Sequence, residues 1–204
     1  MTTSDTKKLR LAGHRQILAV FALFAVPLAL ATALYVARWY PAPVNHGTLV
    51  TPARPIHSVL LTELDRSRSV PFSKLYGKWL LVYFSGGSCG SLCTNALYKM
   101  RAAALFQGEN QTRVRRILVF QNAPSPARVA ALIRQFPQLR IFSGPEQSVH
   151  QLAVQFNDHA IPLKAGVVDV VDPLGNWMMG YPPDADARGM RQDLTRLLSV
   201  SQIG

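Results

Sequence analysis

The chain has 204 residues, 49% hydrophobic and only 16% charged, with 22 Lys+Arg against 11 Asp+Glu and a formal net charge of +11. So few charges among so many apolar residues exclude a polyampholytic disordered chain, and two cysteines are too few for a disulfide-stapled miniprotein. No segment repeats at a period of about 20–50 residues, which excludes a solenoid.

The first predicted element is a membrane span. Ile17 to Ala37 reads ILAVFALFAVPLALATALYVA without a charge. At about 1.5 Å per residue such a helix covers a hydrocarbon core of roughly 30 Å. Lys7, Lys8, Arg10 and Arg15 precede it, and only Arg38 follows closely, so the positive-inside rule puts the N-terminus in the cytoplasm. Trp39 and Tyr40 stand where an interfacial aromatic belt belongs, and a mid-span Pro27 is tolerated in membrane helices. The apolar run is longer than the core of a cleavable signal, so residues 1–16 are expected in the cytoplasm, 17–37 in the bilayer and the rest on the oxidising side of the membrane. Residues 38–58, with Pro41, Pro43, Pro52 and Pro55, read as an extended periplasmic linker.

From residue 59 to 204 strand and helix patterns alternate. Trp79–Phe84 and Arg116–Phe120 are uninterrupted apolar runs, expected of strands buried on both faces. Between them Ser85–Ser88 form a loop and a helix begins near Cys89. Ser125-Pro126 supplies an N-cap and a first-turn proline for a helix facing inward with Val129, Leu132, Ile133 and Phe136. Leu139–Phe142 reads as a strand, and Pro145-Glu146 opens a helix using Val149, Leu152, Ala153 and Phe156. Gly166–Val171 and Trp177–Tyr181 read as a hairpin about the turn Asp172–Asn176. Asp184 or Asp186 caps a final helix with Met190, Leu194, Leu197 and Leu198 inward. This alternation predicts an α/β layered sheet whose order and spacing fit a thioredoxin-like domain with an inserted strand–helix before the hairpin.

Cys89-Gly90-Ser91-Leu92-Cys93 follows a buried strand and a glycine-rich turn. Residues four apart on a helix share a face with Cβ atoms about 5–6 Å apart, longer than a relaxed disulfide, so the first turn must adjust if the two are to bond. A helix N-terminus favours thiolate. Two thiolates so spaced can chelate Cu(I) or Zn(II), or cycle between dithiol and disulfide; as a purely structural pair they are buried hydrophobes or an inert cross-link. Position at a strand-to-helix junction, where α/β sites form, supports the chemical readings, with Cys89 as the exposed nucleophile and Cys93 as its resolving partner or second thiolate.

GKWLLVYF followed by CGSLC resembles the Sco family, thioredoxin-fold proteins tethered to membranes that help metallate or reduce the copper centre of cytochrome c oxidase. Gly77-Lys78-Trp79 and the Cys89/Cys93 pair match the family segment; Thr94 stands where the family has proline. The tail VVDPLGNWMM…YPPDAD…DLTRLLSVSQIG is similar to a smaller group of proteobacterial single-span relatives associated with cytochrome oxidase genes. The resemblance covers roughly residues 70–204 and the anchor. It implies Cu(I) handling or thiol–disulfide exchange at Cys89 and Cys93, and an oxidase subunit or assembly factor as partner. It also implies a third copper ligand, a histidine early in the strand before Asp172-Pro173. Val167 occupies that position, and His159, eight residues upstream, serves only if the intervening loop folds back; otherwise it is a surface histidine. The missing proline and the missing ligand suit a second function: a non-catalytic assembly or scaffold subunit that retains only the fold.

Other candidates have ordinary readings. Ile161-Pro162 lies four residues before Gly166, near where thioredoxins place a cis-proline facing their thiols. Met178-Met179 offers thioethers, but one of two neighbours on a strand faces the core. His46, His57 and His150 read as surface side chains. Arg113, Arg115 and Arg116 form the densest basic cluster and read as a solvated strand entrance, with no nucleic-acid partner. The charge left after the first forty residues, 17 cations against 10 anions, is dispersed over an exported domain.

Overall fold

The computed structural model describes residues 3–37, 45–157, 166–201 and 203. Trp39, Tyr40, Pro41, Pro43, His159 and Ile161-Pro162 lie outside them. The chain divides into two compact units, Met1–Val44 and Asn45–Gly204. The first holds one helix, α1 (Thr3–Val36), with Pro27 inside it. Its stretch Ala19–Val36 is long and apolar enough to cross a membrane, and Phe21, Phe24, Leu28 and Tyr35 stand exposed on it, as a lipid-facing helix requires.

The second unit is built on β1 (Thr48–Pro55), β2 (Leu60–Glu63), β3 (Arg68–Pro71), β4 (Trp79–Ser85), α2 (Ser91–Leu105), β5 (Val114–Phe120), α3 (Pro126–Gln135), β6 (Leu139–Ser143), α4 (Glu146–Ala153), β7 (Val168–Val171), β8 (Asn176–Tyr181) and α5 (Ala187–Val200). The strands form one sheet in the order β1-β8-β7-β4-β5-β6-β2-β3. β4, β5 and β6 run parallel, joined by the crossover helices α2 and α3, as parallel neighbours require. β7 pairs antiparallel with β4, and β8 antiparallel with β7. Every residue of β4 is buried, which is why its sequence is continuously apolar rather than alternating.

Side chains from the two faces of the sheet fill two cores. On one face Leu81, Tyr83, Leu118, Phe120, Val168 and Val170 pack with α2, α3 and α5; on the other Leu80, Val82, Ile117, Val119 and Trp177 pack with α4, Phe72 and Val50. The expected caps are present. Ser125 accepts from the Arg128 amide, and Asp186, of the two candidate aspartates, accepts from Arg188. In the hairpin turn the Asp172 carboxylate accepts from the amides of Leu174 and Asn176. Gly175 closes it at φ +92°, where an added Cβ would lie 2.4 Å from the Tyr76 ring, so neither backbone nor space admits a side chain.

Two expectations are corrected and one hairpin is added. Residues 48–55, read as linker, are edge strand β1, antiparallel to β8 with its register broken between Leu49 and Arg54. An edge strand tolerates Pro52 and Pro55 because one row of its amides needs no partner; the Thr51–Pro52 bond is cis. The hairpin β2–β3, unread in the sequence, extends the opposite edge beyond β6. It is fastened by Glu63, fully buried, which accepts from Arg68 and Arg140 at 2.6 Å each. Finally His46 is not simply solvated: its Nδ1 lies 3.2 Å from the carboxylate of the buried Asp193. His57 and His150 are exposed as expected.

Candidate functional site

The parallel strand β4 ends at Ser85, and the loop Gly86–Cys89 turns the chain into α2, whose N-cap is Gly90. Cys89 therefore lies outside the helix, with a left-handed φ of +46°, while Cys93 is in its first turn. This departure from helical geometry resolves the spacing problem posed by two cysteines four apart. With Cys89 rotated off the helix the Cα atoms are 5.0 Å apart and the two residues form a disulfide, within the span such a bond needs. A non-glycine residue held in this conformation costs about 1 kcal/mol or more.

The same rotation overturns the expected exposure of Cys89. Cys89 and Cys93 are 1% and 3% exposed and belong to the core shared with Tyr83, Leu97 and Val168. Above them lies an open depression of about 280 Å3, lined by Ser85, Ser88, Gly90, Ser91 and Leu92 together with the two cysteines. Leu92 is 57% exposed at its rim. Thr94 donates through its amide and its hydroxyl to the Gly90 carbonyl, at 3.0 and 3.1 Å. A proline at this position would forfeit the first of these bonds.

One functional neighbour escaped the sequence reading. Arg128, in the first turn of α3, donates from Nη2 to the Cys89 carbonyl across 39 residues of chain. Its Nε is buried without a hydrogen-bond partner. The only local signal was a cation at a helix N-terminus, where positive charge is disfavoured.

The structure does not bring a third ligand to the cysteines among the described residues. Val167, the position expected for a ligand, is apolar and packs against the second core, and His159 lies outside the described residues. No group of three or more His, Cys, Asp or Glu suited to a metal occurs among the described residues. Met179 is buried in the first core with Met178 packed against it, so these thioethers serve packing. The donor set at hand is two sulfurs, which, once reduced, suits a soft monovalent ion in linear coordination.

Comparison with known proteins agrees with this architecture. No curated protein matches the chain by sequence. Among solved structures it is similar to ScoI from Arabidopsis thaliana with copper bound, at 19% identity and a TM-score of 0.61, covering 72% of this chain and 99% of that one. Apo Sco1 from Thermus thermophilus matches at 21% identity with a TM-score of 0.61, covering 75% and 96%. The thioredoxin domain of a thiol-disulfide oxidoreductase from Bacteroides vulgatus matches at 14% identity with a TM-score of 0.52, covering 71% and 95%. At these identities the likeness establishes the thioredoxin-like fold. The family model described as "Transmembrane-like, thioredoxin-like, C-terminal domain" matches residues 79–201, from the first residue of β4 to the residue that follows α5, and the chain belongs to that family.

Proposed function

We propose that this chain is a Sco-type, membrane-tethered thioredoxin-fold protein that acts in cytochrome c oxidase biogenesis through the Cys89–Cys93 pair. The observation that carries the reading is the disulfide itself, formed at the C-terminal end of the central parallel strand and opening onto a depression. α1 is the anchor; the four cations ahead of it support a cytoplasmic N-terminus and a periplasmic second unit. The chemistry best supported is thiol–disulfide exchange. In the reduced protein one thiolate attacks a partner's disulfide, and a mixed disulfide forms as one partner thiolate leaves. The second cysteine thiolate then displaces the other partner sulfur and closes Cys89–Cys93. Two electrons and two protons pass to the partner, whose disulfide is the oxidant. Reduced Cys89 and Cys93 also suit Cu(I), and the copper-bound Arabidopsis neighbour supports that cargo; His159 is the candidate third ligand.

A second reading is supported by the burial of both cysteines and by Val167. In it the fold serves as a non-catalytic assembly subunit of a respiratory complex and the disulfide is a cross-link. Titration of the reduced full chain in micelles with Cu(I), and of its redox state with a thiol buffer, separates the two. The exchange reading expects one reversible two-electron couple, abolished in Cys89→Ser and in Cys93→Ser. Stoichiometric Cu(I) lost in both variants adds copper handling. A disulfide that neither equilibrates with the buffer nor yields a Cu(I)-binding dithiol leaves the assembly reading.

A further inference from the structure

The loop that carries the disulfide keeps two glycines that the fold itself does not require. Gly86 and Gly90 both lie outside the left-handed range of φ that favours glycine, and a Cβ added at either would meet no atom within 4 Å. Gly166 and Gly175 differ, standing at φ +96° and +92° and pressed against Pro183 and Tyr76. Gly90 also leaves the N-cap of α2 without a side-chain hydrogen bond, although serine or aspartate would cap the helix better. Both glycines are exposed, and both line the depression above Cys89 and Cys93. What their bare backbone keeps open is the approach to the sulfurs.

Leu92 stands between the two cysteines, exposed at the rim of the same depression. It occupies the first turn of α2, where an acidic residue would serve the helix dipole better. A leucine exposed singly needs no explanation, but this one lies on the route to the chemistry. Both cysteines are buried, so a partner sulfur must descend into the depression to bond either, and the residue beside that sulfur then meets the rim. No charged side chain lines the depression among the described residues; beside Leu92 and the cysteines it presents Tyr83, Phe84, serines and glycines.

We propose that Leu92 and the bare backbone at Gly86 and Gly90 select the partner in thiol–disulfide exchange: a protein segment with an apolar, uncharged side chain next to its reactive cysteine. The segment passes over the glycines and its apolar side chain covers Leu92, taking both out of water. This inference rests on the exchange reading of Cys89 and Cys93. One thiolate of the reduced pair attacks the partner's disulfide and expels one partner thiolate. The second displaces the other and closes Cys89–Cys93, so two electrons and two protons pass to the partner.

The reduced full chain in uncharged detergent micelles is mixed with the disulfide-linked dimers of three blocked tripeptides, in which the cysteine is flanked by leucines, serines or glutamates, and with hydroxyethyl disulfide. Closure of Cys89–Cys93 is followed by mass spectrometry after acid quenching. Each rate is divided by that of the same disulfide with dithiothreitol, which removes its intrinsic reactivity. The leucine peptide is expected to exceed the serine peptide by about fivefold or more, the factor that partial burial of one leucine side chain supplies. In Leu92→Ser that ratio should fall below about twofold. Gly86→Val, whose Cβ meets nothing in the free protein, should slow the leucine peptide relative to hydroxyethyl disulfide by about threefold or more, by displacing the incoming sulfur. Partitioning of the leucine peptide into micelles is common to the three proteins and cancels between them. No exchange with any of the four disulfides would sink the exchange reading and this inference with it. Exchange with hydroxyethyl disulfide, together with a leucine-to-serine ratio near one, ratios unmoved in Leu92→Ser and Gly86→Val, or a glutamate peptide faster than the leucine peptide, overturns the selection alone.

Discussion

Arg128 occupies the first turn of α3, where the helix dipole opposes a cation, yet it spends a donor on the carbonyl of Cys89. That bond holds the one residue of the pair whose backbone is left-handed, and it brings a fixed positive charge to the cysteine loop. A neighbouring cation favours thiolate over thiol. In the reduced protein Arg128→Gln is therefore expected to slow alkylation by iodoacetamide at pH 7 by roughly threefold, about half a tenfold step in thiolate fraction on a logarithmic scale. Arg128→Lys should retain most of the rate, and the pH profile should move upward only in the Gln variant. Equal rates in all three proteins would assign Arg128 to loop packing alone. The cysteines themselves were legible in the sequence because two thiols after a buried strand and a glycine turn carry a recognisable chemistry. Arg128 was not legible, since its partner is 39 residues away and its neighbours in sequence are those of an ordinary surface turn. The exposure of Cys89 was misread for a related reason: helical spacing describes residues inside a helix, and Cys89 stands one residue before its cap.

At the level of elements, the sequence shows best what is buried on both sides. β4 and β5 declare themselves as unbroken apolar runs, and α5 by Met190, Leu194 and Leu198, all buried. Edge strands have no such signature. β1 carries two prolines and one buried residue, Val50, and its place in the sheet depends on β8, more than a hundred residues away. What secures its start is Asp193 on α5. One carboxylate oxygen accepts from the amides of His46 and Gly47 at 2.7 and 2.9 Å and from the Tyr181 hydroxyl at 3.1 Å. Burial, then the charge of Asp193, push the Tyr181 phenol far above its ordinary range, so it remains a donor at any physiological pH. Asp193→Ala strands three donors beside a buried surface and should cost about 2–4 kcal/mol. Hydrogen exchange would show the loss first at residues 46–50, where the two amides are released, before the protection of β4 and β5 changes. If exchange at 46–50 is unchanged in the variant, the carboxylate is not what holds β1 to the helix.

For the whole molecule, the layered α/β order was readable because each crossover helix and each buried strand announces its own period, while the outer strands depend on pairings that no local pattern encodes. The same buried sheet fixes how stability responds to pH, through two carboxyl groups whose pKa values shift in opposite directions. Asp169, in the middle of β7, is 2% exposed with Oδ1 unpartnered. Burial raises its pKa well above the usual value, opposed in part by a hydrogen bond from Trp177. In the unfolded chain the same group ionises near about pH 3.9, so its contribution is fully present below that pH and is lost as pH rises toward the raised folded value. Glu63 behaves oppositely. Burial alone would raise its pKa, but the hydrogen bonds and charges of Arg68 and Arg140 more than offset this and lower it. Its contribution is present above about pH 4.3, the unfolded value, and is lost as pH falls through the lower folded one. Asp169→Asn should therefore gain on the wild-type chain as pH rises from about 4 to about 7, whereas Glu63→Gln should lose most at neutral pH and least in acid. Urea unfolding of the full chain in uncharged micelles, followed by tryptophan emission, reads both differences. Trp79 and Trp177 report from within the two cores. A gap between wild type and Asp169→Asn that stays constant across this range would mean that the folded protein solvates or pairs the carboxylate, and the buried neutral acid in β7 would have to be abandoned.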